Sequence, residues 1–249
     1  MRRKECSRMG NEAAAVAAAE AERAKELIHY LAWDVAPGVT IHMQTMLMTW
    51  IVMILLILLF VFASKNAKLV PSGLQNVMEF FVEFIEGLVT GSLGVKGWKA
   101  IGSFFVSLFM FILVSNELGM LPNVVHGFHW TSPTNDINTC FALSLTVAIG
   151  VYFVGVATNG MGFFKHFISP SPAFLPLHLL DELTKPLTMA LRLFGNILAG
   201  EILLIILYQL APWIVPEFWV MFSLFIGFLQ AFIFTMLSIC SYEKIYAHH

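Results

Sequence analysis

The sequence predicts an all-α polytopic membrane protein with about five crossing helices, the last two long and tilted, and one further amphipathic helix at the interface. Two observations carry that prediction. Of the 249 residues, 58% are hydrophobic and only 12% are charged, about half the roughly 25% charged share of soluble domains. A chain this apolar cannot cover its own surface with polar groups in water. Its apolar residues also gather into stretches close to the roughly 20 residues that a hydrocarbon core demands.

The elements follow in chain order. Residues 11–28 are rich in Ala and Glu, with Arg23, Lys25 and Glu26, and have helical propensity but no spanning apolar run. A cleaved signal peptide is the rival reading of the basic start. The carboxylates in AAAVAAAEAE, where an apolar region should lie, speak against it. Residues 1–40 are expected to be a tail and amphipathic segment, and residues 41–249 a single membrane domain. The first apolar stretch covers residues 46–63, the second 101–121 and the third 141–158. Residues 72–90, between the first two, put Leu74, Val77, Met78, Phe81, Phe84, Ile85 and Leu88 on one helical face. Glu79, Glu83 and Glu86 fall on another, as in an amphipathic helix at the interface with a solvated acidic side.

Apolar character resumes over residues 174–214, with polar interruptions, and again over 218–239. A helix over 187–210 alone would run about 36 Å and should tilt. Pro186 marks a break before it, because proline cannot donate to the helical ladder and disfavours helix at Lys185. No repeat at solenoid periods is visible, and no second, soluble domain has room.

Charge placement predicts orientation. Lys65, Lys68, Lys96 and Lys99 lie between the first two spans, Lys165 and Lys185 between the third and fourth, and Lys244 after the fifth. The stretches 122–136 and 211–217 hold no Lys or Arg. Positive charge kept on the cytoplasmic side gives five crossings, with the N-terminus outside and the C-terminus inside. The N-terminal tail is the exception: its six basic residues should lie outside, diluted by five glutamates. The net charge of −2 gives no strong basic balance toward nucleic acid. Cys6, Cys140 and Cys240 lie far apart, with neither metal nor disulfide spacing, and read as core or lipid-facing side chains.

The chemistry centres on Arg192. A long apolar run follows it, and no Lys or Arg lies closer than Lys185. A charge at the bilayer centre costs at least ~3 kcal/mol on insertion scales, and guanidinium titrates above about pH 12. Arg192 is therefore a permanent positive charge and not a proton carrier. The plainer reading is a buried ion pair with Asp181, Glu182 or Glu201. At about 100° per residue, Asp181, Lys185, Thr188, Arg192 and Asn196 make one narrow polar stripe. Glu201, nine residues beyond Arg192, points to roughly the opposite face, about 13 Å further along. In the last span Gln230 is the large polar group, with Ser223 and Ser241 on its face. An amide satisfied between helices is its ordinary reading.

The run Leu191-Arg192-Leu193-Phe194-Gly195-Asn196, continued by Ile197-Leu198-Ala199-Gly200-Glu201, resembles the signature of subunit a of F-type ATP synthase. Three more stretches agree in order and spacing: Pro133-Thr134-Asn135-Asp136-Ile137-Asn138-Thr139, Thr184-Lys185-Pro186-Leu187, and Leu229-Gln230-Ala231-Phe232-Ile233-Phe234. The resemblance covers roughly residues 40–249, and its wording is nearest to the bacterial and plastid forms. It implies a stator subunit in a bacterial plasma membrane, or alternatively a plastid thylakoid membrane. Its partners would be a c-ring of small hairpin subunits, the peripheral stalk b subunits and the lipid bilayer, and it would need no cofactor. Arg192 falls on the family's essential arginine, Asn196 and Gln230 on its polar neighbours, and Glu201 on an acidic group of the outer half-channel. Asn116 and Asp136 match a polar and an acidic position.

Where acidic groups are expected a little beyond Asn116, this chain has Gly119 and Val124, with Glu117 nearby, and a position titratable in some members is Ser223. Asp181, Glu182 and Lys185 would stand at the mouth of the inner half-channel, or would be no more than a solvated helix start. The implied mechanism lets each ring carboxylate lose its ion beside Arg192, since a nearby cation lowers a carboxylate's pKa. The drive is about 2.3 kcal/mol per charge per 100 mV. No Gly-rich phosphate loop occurs, so nucleotide chemistry would belong to other subunits. Five unrepeated spans argue against a stand-alone transporter with inverted repeats. A haem protein would need paired histidines inside spans, whereas only His178 lies near an apolar run and His126, His129 and His166 fall in loops.

Overall fold

A computed structural model describes residues 32–36, 39–65, 68, 71–119, 132–160, 175–210 and 214–246. The chain divides between Leu47 and Met48 into two compact units. The described part of the first holds a hairpin of β1 (Ala32–Ala36) and β2 (Val39–His42), paired antiparallel with Trp33 opposite Ile41 and an irregularity between Asp34 and Ala36. The charge-and-helix reading of residues 1–40 did not foresee this hairpin. Its signal was local: β-branched residues in Val39-Thr40-Ile41, preceded by the turn-forming pair Pro37-Gly38.

The second unit is helical. It comprises α1 (Met43–Ser64, whose first residues belong to the first unit), α2 (Leu74–Gly119), a 3-10 turn (Pro133–Asn135), α3 (Ile137–Asn159), α4 (Leu175–Leu210) and α5 (Val215–Tyr246). Five helices among the described residues are long and apolar enough to cross a membrane. α1 sits at the edge of the unit. It buries Val52 and Leu56 while Trp50, Ile54, Ile57 and Val61 form an exposed apolar stripe, which suits lipid contact rather than water.

α2 holds two predicted elements in one. Gly94, at φ 72°, breaks the helical backbone and separates an interfacial helix from the second span. A left-handed backbone at that point is one that glycine adopts without steric cost. The interfacial half buries Met78, Ile85 and Val89, whereas Leu74 and Val77 stay exposed. Its buried stripe is thus narrower and set later than the periodicity suggests. Glu83 is exposed, and Glu79 accepts a hydrogen bond from Gln75 Nε2 at 2.7 Å.

Two further departures concern the long helices. α4 begins at Leu175 and runs unbroken through Pro186. At 36 residues it is roughly 54 Å long, and the 32 residues of α5 span roughly 48 Å. Both exceed a ~30 Å hydrocarbon core, so each must lean or project. Pro186 has no N–H to offer the Glu182 carbonyl four residues back, yet the helix continues past it. Thr184 Oγ1 donates to the Leu180 and Asp181 carbonyls, both at 2.9 Å, and Thr188 Oγ1 donates to the Thr184 carbonyl at 2.7 Å.

The core lies where α2, α3, α4 and α5 meet. The most extensive packing is of α2 on α5, followed by α3 on α4 and then α4 on α5. Phe105 and Phe109 of α2 meet Tyr242 and Phe228 of α5 edge-on, at ring separations of 5.3 and 6.0 Å, a geometry that aromatic quadrupoles favour.

Candidate functional site

Several polar residues of α4 and α5 share one helical seam. From α4, the stripe Asp181–Lys185–Thr188–Arg192 lines a cavity of about 360 Å³ together with Leu237, Cys240 and Ser241 of α5. One turn beyond Arg192 the stripe passes into a second cavity, of about 220 Å³. There Asn196 faces Ser223, Gly227 and Gln230 of α5, with Asn116 of α2 at the wall. The single stripe read from periodicity therefore serves two separate cavities, divided between Arg192 and Asn196.

In the wall of the smaller cavity lies a direct interhelical bond: Asn196 Nδ2 donates to Gln230 Oε1 at 2.6 Å. The ordinary reading of Gln230 as an interhelical amide holds for its oxygen. Its Nε2 is buried and has no hydrogen-bond partner among the described residues, although the side chain lines the smaller cavity. A buried amide donor left unpaired costs about 1–3 kcal/mol, and this one has the smaller cavity beside it.

Arg192 is exposed on the surface of α4 and forms neither an ion pair nor a hydrogen bond among the described residues. The buried ion-pair reading of Arg192 is corrected on each partner. Glu182 pairs instead with Lys185 at 2.8 Å. Glu201 accepts a hydrogen bond from Asn135 Nδ2 at 2.7 Å, on the opposite side of the helix as the spacing required. Asp181 lines the Arg192 cavity without an ion pair among the described residues.

The remaining candidates separate. Asn116 is buried and donates from Nδ2 to the Gly227 carbonyl at 3.2 Å, while its Oδ1 accepts from Thr134 Oγ1 at 2.8 Å. Glu117 does not line either cavity, but its carboxylate lies against Gly227, where an added Cβ would meet Oε1 at 3.1 Å. Asp136 caps α3, its Oδ1 accepting from the Asn138 amide at 2.9 Å, which satisfies one of the helix's orphan donors. Glu182 and Glu201 lie outside both cavities, whereas Ser223 lines the smaller one. Val124, His126, His129, Lys165, His166 and Cys6 fall outside the described residues, as does the tail 1–31.

Sequence reasoning passed over three contributors. Asn135 reaches Glu201. Trp219 Nε1 donates to the Gly200 carbonyl at 3.2 Å and joins the two long helices at the smaller cavity. Ser132 Oγ donates to the Ser115 carbonyl at 2.8 Å and accepts from the Thr134 amide at 3.2 Å. Asn135 sat inside a motif already quoted, but nothing in a linear pattern says which helix its amide meets. Among the described residues no cluster of His, Cys, Asp or Glu gathers as metal ligands do.

A helical bundle with five candidate spans among the described residues, whose helices α4 and α5 line two cavities with charged and amide side chains, defines a multi-pass membrane protein. The chain belongs to the ATP synthase A chain family, whose family model matches residues 46–242. It is thus a member of the ion-translocating membrane sector of an ATP synthase complex, alongside the other subunits of that complex.

Proposed function

We propose that this chain is the stator through which ions cross in two offset half-channels, with Arg192 as the fixed charge between them. The observation that carries the reading is the pair of cavities on the α4–α5 seam, one ending at Arg192 and the other at Asn196 and Gln230. The cavity of Asp181, Lys185 and Thr188 is the inner half-channel, open toward the side where lysines gather. The cavity of Asn116, Ser223 and Gln230 is the inner end of the outer one, with Glu201 and Glu117 on the approach to it. Glu182 tunes Lys185 at the inner mouth, and Asp136 holds the start of α3 beside the outer path.

Arg192 and the exposed leucines around it, Leu187 and Leu191, form the face that meets the c-ring. A carboxylate of the ring arriving at that face is favoured in its ionised form by the guanidinium, so it releases its ion there. Arg192 cannot take the ion itself, because it does not deprotonate. It also repels cations that would pass straight from one cavity to the other. The chain carries no nucleotide chemistry of its own, and peripheral stalk b subunits hold it against rotation. Its motif wording favours a bacterial plasma membrane, with a thylakoid membrane as the second option.

Single cysteines placed in the intact complex, with the native cysteines changed to alanine, test the two-cavity reading. Thr188→Cys should react with a membrane-impermeant thiol reagent from the cytoplasmic side alone, and Ser223→Cys from the opposite side alone. Reaction of both from the same side would sink it.

A further inference from the structure

Glu201 is the acidic group of the proposed outer path, yet it projects away from Arg192 and toward the turn that precedes α3. That turn is unusually well anchored for a connection. Ser132 and Thr134 are both buried, and each is tied to α2: Ser132 Oγ to the Ser115 carbonyl at 2.8 Å, and Thr134 Oγ1 to Asn116 Oδ1 at 2.8 Å. Asn116 in turn holds α5 through the Gly227 carbonyl at 3.2 Å. The Thr134 carbonyl accepts from Cys140 Sγ of α3 at 3.0 Å. Four bonds thus fix the turn to α2 and α3 and, through Asn116, to α5. The next residue, Asn135, extends its amide across to α4 and donates to Glu201 Oε2 at 2.7 Å.

We propose that Asn135 is a positioning residue for ion transfer: it fastens Glu201 through one oxygen, Oε2, and leaves Oε1 as the oxygen that meets the travelling ion. The proposal rests on the reading that Glu201 lies on the outer path. The physical argument is one of directionality. A free glutamate on a helix samples several rotamers and offers both oxygens equally. A neutral amide donor on Oε2 removes that freedom without neutralising the charge, and hydrogen bonds to an ionised acceptor are shorter and stronger than neutral ones. The amide keeps its own hydrogen throughout, so the ion is taken up and released at Oε1 alone. The turn's anchoring gives the amide its fixed aim, and a positioning group held on a rigid support is what efficient transfer needs.

The test uses the assembled complex in sealed vesicles, with ATP-driven ion pumping and infrared difference spectra as readouts. Glu201→Gln comes first: it should lower pumping and remove the carboxyl bands that belong to Glu201. Asn135→Leu, of similar size but with no donor, should lower pumping roughly ten-fold at equal assembly and move those bands from their positions in the unmodified complex. Asn135→Gln, which restores an amide, should pump faster than Asn135→Leu. If Glu201→Gln pumps normally, Glu201 is not on the path, and the reading beneath the proposal falls with it. If Glu201→Gln is defective but Asn135→Leu leaves both pumping and bands unchanged, the positioning role alone is overturned. If Asn135→Leu slows pumping while the bands stay in place, Asn135 acts by packing, and the proposal is again overturned.

Discussion

At the scale of single residues, the deciding comparison is between Lys185 and Glu201, which have partners on the chain, and Arg192. Lys185 has Glu182 and Glu201 has Asn135, each within 2.8 Å. Arg192 lies exposed on its helix with neither kind of partner among the described residues. Since such a charge within a bilayer costs several kcal/mol, its partner is expected to come from outside the chain. Arg192→Ala should therefore abolish ATP synthesis driven by an ion gradient while the complex still assembles. Arg192→Lys should fail as well, because a hydrated point charge does not replace a planar fork that can meet a carboxylate from several angles. Wild-type synthesis rates in sealed vesicles carrying either variant would contradict this.

At the scale of elements, the two faces of α4 and the fit of α5 against α3 make separate predictions. Asp181 lines the inner cavity, whereas Glu182 is turned to Lys185 in an i,i+3 pair, and such partly exposed pairs contribute about 0.5 kcal/mol or less. Asp181→Asn ought then to impair ion flux more than Glu182→Gln at equal assembly, and equal or reversed effects in pumping vesicles would reject the cavity's role. On α3, a Cβ added at Gly150 would lie 2.2 Å from the Tyr242 hydroxyl oxygen. Tyr242 cannot swing aside, being buried with its ring against Phe104 and Phe105. Gly150→Ala should destabilise the subunit by about 1–3 kcal/mol, the usual cost of overpacking. Tyr242→Phe in the same chain, which removes the offending oxygen, should recover most of the loss in a thermal-stability assay of the complex.

At the scale of the molecule, five crossings, the number of candidate spans among the described residues, would put residues 1 and 249 on opposite sides of the membrane, and the lysine distribution predicts that residue 249 lies on the cytoplasmic side. A protease site appended after residue 249 should be cut only from the cytoplasmic face, and one inserted near residue 10 only from the other. Cleavage of both from one face would revise the number of crossings. The basic tail makes this a strong test, because its six basic residues oppose the orientation that the other lysines predict.

How much was legible in the sequence follows from the range over which each signal acts. Span existence, the interfacial helix and the Asp181–Arg192 stripe are set by composition and by the 100° step of a helix, so they can be read from neighbours along the chain. The opposition of Arg192 and Glu201 followed from the same step. The length of α4 did not, because Pro186 predicts a break and the helix runs through it. The division of one polar stripe into two cavities was also beyond reach, as it depends on where Gln230, 34 residues away from Asn196, crosses the seam. Asn135 meeting Glu201 spans 66 residues. Helical periodicity says which side of its own helix a residue takes, and only the packing of helices against one another decides which side chain waits there.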